Sequence, residues 1–243
     1  MAAAPPLFDR ALSAARAARK RGAEPNILTR TIAEELVERL AFVNRRFEHV
    51  LLIAAEPEAI AARLMQGGQV KAVETRLPSA HDHLGLAEER YDAVFSVLDL
   101  QTFNDVPGAL IQMRRALKPD GLLLACLFAG DTLTELRQSW LAAEAMVSGG
   151  VSPRVAPMID VRELGGLLQR AGLALPVADL DRTMVRYSDA VALIHEIRQL
   201  GLSNNLLGRS KTPVNRRLMG AAINTYQQNF ADPDGRVRAT VEV

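Results

Sequence analysis

The sequence predicts an α/β protein built on a mostly parallel sheet, with helices on both faces. Short apolar or β-branched runs at 49–54, 91–98 and 122–128 alternate with segments of helical period, the order that winds a parallel sheet through right-handed crossovers. The run at 122–128 is apolar without a break, as strands buried on both faces are. Helix stops such as Gly67-Gly68 and Gly172 fall between the periodic segments and the strands that follow.

Each element has its own local reason. Residues 30–47 carry Ile32, Leu36, Leu40 and Val43 at helical spacing. The strand 49–54 follows, then a helix over 58–65 that stops at Gly67-Gly68. The segment 69–75 is β-branched enough for a second strand, and 91–98 is a third, bounded by the polar turn 87–90. Asp105 caps a helix over 107–117, with Pro107 in its first turn, where the missing N–H costs little. Lys118-Pro119-Asp120-Gly121 reads as a turn ahead of the strand 122–128. Asp131 or Thr132 then caps a helix running to Met146, and another covers 161–171. Strands at 173–177 and 183–187, helices at 189–200 and 214–230, and a last strand beyond 232–235 complete the chain. No repeat, low-complexity tract or linker interrupts it. Residues 1–243 read as one domain, with a helical insertion at 189–231 between late strands.

Composition narrows the function classes. A chain of 243 residues is long enough for a full core. A net charge of +1 gives no bulk electrostatic case for nucleic-acid binding. The exception is local: in 1–30, Arg10, Arg16, Arg19, Lys20, Arg21 and Arg30 face only Asp9 and Glu24. Such a start suits a transit peptide, but a basic arm lying on the domain surface is expected, since the Phe8-Asp9-Arg10 segment already belongs to the domain. No apolar run approaches the ~20 residues of a membrane-spanning helix. The single cysteine, Cys126, cannot form an internal disulfide and points to a reducing cytoplasm. In its apolar strand it reads as a small buried hydrophobe rather than a nucleophile.

An open sheet of this kind takes ligands at the carboxyl edge of its strands. The loops at 54–58, 74–77, 99–105 and 128–132 are therefore the candidates. A nucleotide-type ligand needs backbone close to it at the first of these, and glycine permits that approach. The segment Ala54-Ala55-Glu56-Pro57-Glu58 has no glycine. His81-Asp82-His83 places two imidazoles on one face of an extended segment, yet nothing else supplies further ligands at a metal spacing. It reads as a solvated loop, and no metal is expected. Ser152 and His195 form no recognisable triad, no serine sits in a nucleophile elbow, and no catalytic residue is assigned.

Tyr91-Asp92-Ala93-Val94-Phe95-Ser96, Asn104-Asp105-Val106-Pro107 and Leu117-Lys118-Pro119-Asp120-Gly121 resemble the middle of a class I S-adenosylmethionine (SAM) methyltransferase. Further segments narrow the resemblance: Phe8-Asp9-Arg10, Gly130-Asp131-Thr132-Leu133-Thr134-Glu135-Leu136-Arg137, Gly149-Gly150-Val151-Ser152-Pro153-Arg154, Leu168-Gln169-Arg170-Ala171-Gly172 and Asp234-Gly235-Arg236-Val237-Arg238-Ala239-Thr240. Together they resemble the methyltransferase-like family of mitochondrial complex I assembly factor 5 and its alphaproteobacterial relatives. That family is also similar to the malonyl-carrier-protein methyltransferase of biotin synthesis. The resemblance implies a Rossmann-like, seven-stranded class I sheet with SAM at its carboxyl edge and a protein or carrier-bound substrate. For the mitochondrial member it implies arginine hydroxylation on a complex I subunit. The bacterial relatives imply a bacterial cytoplasm.

Carried over residue by residue, the resemblance puts the cofactor cleft at Ala54, Glu56, Glu58, Glu74, Asp82 and Leu98, and the substrate side at Asp131, Arg137, Asn204 and Asn224. The family's glycines fall on Ala54, Glu56 and Glu58, its preceding acidic residue on Leu52, and its His-Trp pair on Gln101-Thr102. The helix between the second strand and Tyr91 is lost. Glu74 stands where a ribose-binding acid is expected at the end of the second strand, and reads equally as a surface charge; Asp131 reads also as a helix cap. Carboxylates at 56 and 58 facing the carboxylate of SAM in a partly desolvated cleft cost about 1–4 kcal/mol at contact distance. Weak or absent SAM binding is expected, in a pseudoenzyme that serves as an assembly or binding factor. The alternative is an active enzyme in which Glu56 points to solvent and Pro57 simply starts the helix. A final strand ending at Val243 looks short, which would leave its neighbour open to pairing and favour a homo-oligomer.

Overall fold

The computed structural model describes residues 5–19 and 27–243. Lys20, Arg21 and Glu24 of the basic arm lie outside the described residues. The elements run α1 (Arg10–Ala18), α2 (Ile27–Ala41), β1 (Val50–Ala54), α3 (Pro57–Gln66), β2 (Val73–Arg76), β3 (Tyr91–Val97), a 3-10 turn (Leu100–Thr102), α4 (Val106–Ala116) and β4 (Leu117–Cys126). They continue with α5 (Thr134–Ser148), α6 (Val161–Arg170), β5 (Arg182–Tyr187), α7 (Ala190–Gln199), α8 (Arg216–Phe230) and β6 (Val237–Glu242). Where the sequence reads as one domain, the structure divides into two compact units. One holds 10–127 and 162–178; the other holds the residues up to Asp9, 128–161 and 179–243.

The first unit is built on a parallel sheet in the order β2-β1-β3-β4. β1 lies inside it, and its five residues are each exposed by 1% or less. Val50, Leu52 and Ala54 share a core with Ile32, Leu36 and Leu40 of α2, Ile60 and Leu64 of α3, and Ala93 and Phe95 of β3. Leu51 and Ile53 point to the opposite face by the alternation of the strand and are as fully buried. Each such side chain contributes about 1.5–3 kcal/mol. Ala109, Leu110, Met113 and Ala116 form the buried stripe of α4, which packs on β3 and β4. The Asp105 side chain caps α4 by accepting from the Gly108 N–H at 2.9 Å. The crossover from β2 to β3 is irregular chain over 77–90, as its shortened sequence requires.

Several expectations for this unit are corrected. The four residues 118–121 are no turn ahead of a strand but a bulge within β4, since Leu117 pairs with Tyr91 and Leu122 with Ala93. Leu122–Cys126 is half-buried, not covered on both faces, because β4 is the outer strand of this sheet. The second strand is shorter than 69–75: it starts at Val73, and Val70 makes only an isolated bridge to Phe47. The segment 173–177 forms no strand, and Leu175 and Val177 are 93% and 85% exposed. Arg10 does not lie on the surface; it is 4% exposed.

The second unit joins a two-stranded antiparallel sheet, β5-β6, to α5, α7 and α8. Leu136, Trp140 and Ala143 of α5, Leu193 of α7, and Leu218, Ala222 and Tyr226 of α8 close over Val237 and Ala239 of β6. β6 is paired along its whole length, from Val237 with Tyr187 to Glu242 with Arg182. Asp189 and Asn215 cap α7 and α8 through side-chain bonds at 2.8 Å to the N–H groups of Ala192 and Leu218. Neither Asp131 nor Thr132 caps α5. Leu133 holds the cap position at φ 57° without a side-chain bond, while the Thr132 hydroxyl donates to Glu242 O at 2.9 Å. The described strands thus form sheets of four and two rather than the seven-stranded sheet implied by the resemblance.

Candidate functional site

The carboxyl ends of β1, β2 and β3 lie side by side in the first unit. β1 ends at the buried Ala54, paired with Val97. The chain then turns through Ala55 and Glu56 into α3. Glu56 is the N-cap of α3, at φ −126° and ψ 62°, and makes no capping bond through its side chain. Pro57 occupies the first helical position and removes one of the N–H donors that a helix N-terminus can offer an anion. Glu58 is exposed in the first turn, where its charge favours the helix dipole. Thus the turn keeps its negative φ, offers one donor fewer and carries two carboxylates.

Glu74 does not stand at the end of its strand. It pairs in register with Leu51, while the last residue of β2, Arg76, pairs with Ile53. The Glu74 carboxylate accepts from Arg90 Nη2 at 2.8 Å and from Arg76 Nε at 3.2 Å, with His49 Nε2 at 3.9 Å. His49 and Arg90 flank the starts of β1 and β3, so Glu74 is tied toward the amino end of the sheet. Burial tends to raise its pKa; the neighbouring Tyr91 hydroxyl, the bond from Arg76 and the Arg90 charge outweigh this and hold it below the usual carboxylate range.

β3 gives way at its carboxyl end to Leu98, a left-handed residue at φ 52°, whose N–H bonds Cys126 O at 2.8 Å. Behind it lies a buried polar cluster that sequence reasoning missed. Arg10 Nη1, from the first residue of α1, donates to Asp99 Oδ1 at 2.7 Å and Thr102 Oγ1 at 2.6 Å. Its guanidinium carbon sits 3.6 Å from the centre of the Phe103 ring, a cation–π stack. Asp99 is 1% exposed. Burial pushes its carboxyl up, against the opposing pull of Arg10 and Thr102. Asp82, from the 77–90 crossover, accepts from the Asn104 N–H at 3.1 Å and lies 3.9 Å from Arg10 Nε. Arg10 Nε and Nη2, Asp99 Oδ2 and Gln101 Oε1 are buried without a hydrogen-bond partner among the described residues. The signal for the cluster was present in the sequence: Asp99 is a lone acid among Val97, Leu98 and Leu100.

The substrate-side candidates fall in the second unit. Arg137 Nη2 donates to Ala156 O at 3.1 Å, and Asn204 Nδ2 to Pro153 O at 2.7 Å, so both secure one segment, 153–156. Asp131 is exposed, 3.8 Å from Arg182 Nη1, and Asn224 is exposed on α8. Ser152 donates its hydroxyl to Glu144 Oε1 at 2.9 Å, whereas His195 Nε2 lies 2.9 Å from Gln199 Nε2. Among the described residues no cluster of three or more His, Cys, Asp or Glu side chains is placed to hold a metal. No described helix is long and apolar enough to cross a membrane.

A parallel sheet with helices on both faces and irregular loops at its carboxyl edge defines a class I methyltransferase-like protein. The methyltransferase domain family matches residues 33–125. The chain is 37% identical over 175 residues to the human mitochondrial arginine-hydroxylase NDUFAF5, across 70% of this chain and 50% of that protein. It is 36% identical over 177 residues to the rat protein, across 71% and 51%. It is 28% identical over 240 residues to the malonyl-[acyl-carrier protein] O-methyltransferase of Xylella fastidiosa, across 89% and 79%. The chain belongs to this class I methyltransferase-like family of NDUFAF5 and the bacterial malonyl-carrier-protein methyltransferases. It spans about half the length of its mitochondrial relatives. The YcgJ protein of Bacillus subtilis has the same fold at a TM-score of 0.50 and 13% identity, over 86% of this chain and 94% of that one. A protein of Bacillus halodurans matches at 0.51 and 13%, over 86% and 93%.

Proposed function

We propose that this chain is a methyltransferase-fold protein of the complex I assembly factor 5-like family whose SAM binding is weakened or lost, and which acts as an assembly or binding factor. The observation that carries this reading is the turn from β1 into α3. Side chains stand at Ala54, Glu56 and Glu58, and Pro57 takes away a donor. Glu74 is engaged by two arginines short of the strand end. These residues do not fit the adenosyl cofactor: Glu56 sets a negative charge at the turn that would meet its carboxylate, and no acid stands at the edge of β2 for its ribose. A protein partner follows from the mitochondrial relatives, and a bacterial cytoplasmic setting from the lone cysteine; self-association completes the proposal.

Calorimetric titration with SAM and with its demethylated product tests this reading. No heat and no thermal shift up to millimolar ligand is the expected result; micromolar affinity overturns it. The competing reading is an active SAM-dependent methyltransferase or hydroxylase acting on a protein or carrier-bound substrate. Its support is the exposure of Glu58, which leaves that side chain clear of the sheet.

A further inference from the structure

Arg10 is held by one end only. Nη1 makes both of its bonds, to Asp99 and Thr102, and the Phe103 ring fixes the plane of the guanidinium. The other edge, Nε with Nη2, is the edge that receives a carboxylate in two parallel bonds. In this chain that edge is buried without a hydrogen-bond partner among the described residues, on a residue 4% exposed. Asp99 does not close the fork: its second oxygen, Oδ2, is unpartnered as well. Leaving several charged-group atoms unused in a buried pair is costly, so the arrangement is one half of a contact.

The other half has a stand-in. Asp82 Oδ1 lies 3.9 Å from Nε, too far for a hydrogen bond. Its side chain is 32% exposed, against 3% for that of Arg10 and 2% for that of Asp99. It sits on the irregular 77–90 crossover, where displacing it breaks no strand or helix. Exchanging its carboxylate for one carboxylate of a ligand leaves the charge in direct contact with Arg10 unchanged.

We propose that the Nε/Nη2 edge of Arg10 is a binding site for the carboxylate of a small free ligand, which takes its place by displacing Asp82. The site goes beyond the SAM question, because it requires neither an adenosyl group nor the turn at Glu56.

The probe is sodium malonate, titrated calorimetrically into the full chain at constant ionic strength, with neutral malonamide as the control. Malonate binding saturates in the millimolar range and malonamide does not bind. Asp82→Asn keeps the acceptor for the Asn104 N–H but removes the competing charge, and tightens malonate binding about threefold to tenfold. Arg10→Lys supplies a point charge without the fork, and weakens it by about tenfold or more. Thermal melting confirms that each variant is folded, and Asp82→Asn carries the test if Arg10→Lys is not. Malonate binding no better than malonamide, or unchanged by Asp82→Asn, overturns the proposal and leaves the fork as a buried water site. A chain that binds malonate and not SAM retains both proposals; one that binds SAM and not malonate overturns both.

Discussion

The carboxylate of Glu135, in the first turn of α5, receives both the backbone N–H of Thr240 at 3.0 Å and its hydroxyl at 2.6 Å. Glu135 and Thr240 are 4% and 2% exposed. The pair ties the start of a helix to the middle of β6, so a buried acid here holds the fold. Thr240→Val keeps the shape and deletes the hydroxyl, leaving one buried carboxylate oxygen without its donor. Such a loss costs about 1–3 kcal/mol, read as a lower midpoint in urea with an unchanged slope. Thr240→Ser, which keeps the hydroxyl, recovers most of the loss. A midpoint for Thr240→Val equal to the native one rules out the bond as a contributor.

Glu144 sets a pH dependence of known sign. Burial tends to raise its pKa, but the Ser152 N–H, the Arg154 guanidinium and the Ser152 hydroxyl overcome that and hold it below the usual carboxylate range. The bonds are 2.6 Å from Ser152 N, 2.8 Å from Arg154 Nε and 2.9 Å from Ser152 Oγ. A folded pKa below the unfolded value of about 4.3 gives stability that is present above that value and lost as pH falls through the folded one. Glu144→Gln removes this contribution. Its deficit against the native chain is constant above about pH 5 and shrinks as both are acidified. Urea denaturation across that range measures it, and a deficit that grows on acidification contradicts the assignment.

The order of strands and helices was legible because it rests on local period, and the cap at Asp105 was legible because it is a short side chain three residues before its donor. What failed depends on neighbours. The apolar run 122–128 has the composition of an inner strand, but its exposure follows from β4 being outermost, a fact of sheet order that no local pattern carries. Leu173 to Val177 alternates like a strand and forms none, since nothing pairs with it among the described residues. For the candidate site, the turn at Ala54–Glu58 was visible as missing glycines. The offset of Glu74 from the strand end required the register with Leu51. The Arg10–Asp99 pair joins residues 89 apart in sequence, and only the fold brings them together.

Cys126 is expected to be chemically quiet. Burial pushes its thiol up to about 12; the Glu35 charge adds to the rise and Arg39 opposes it. A thiol rather than a thiolate stands there at neutral pH, and thiolate is the reacting form. The native chain therefore reacts slowly with a disulfide reagent at pH 8 and yields its one thiol promptly in denaturant. Full, rapid reaction of the native chain would assign Cys126 a redox or nucleophilic role.

The turn from β1 into α3 separates charge from volume in one experiment. Glu56→Gln with Glu58→Gln removes both charges and keeps both side chains; Glu56→Gly with Glu58→Gly removes both. If repulsion is what excludes SAM, relief of about 1–4 kcal/mol raises affinity tenfold to a thousandfold in the Gln pair already. If backbone approach is the obstacle, only the Gly pair gains, with a helix weakened by up to about 1 kcal/mol at position 58, visible in the melting temperature. The exposure of Glu58 and the intermediate burial of Glu56 assign most of any gain to position 56. A failure of both pairs has its own meaning. The obstacle then lies at the neighbouring strand, where Arg76 rather than an acid ends β2 and the two arginines on Glu74 hold the only acid of that strand away from the edge. In that case Arg76→Asp, placing a carboxylate at the end of β2, is the substitution that should first produce measurable heat with the demethylated cofactor.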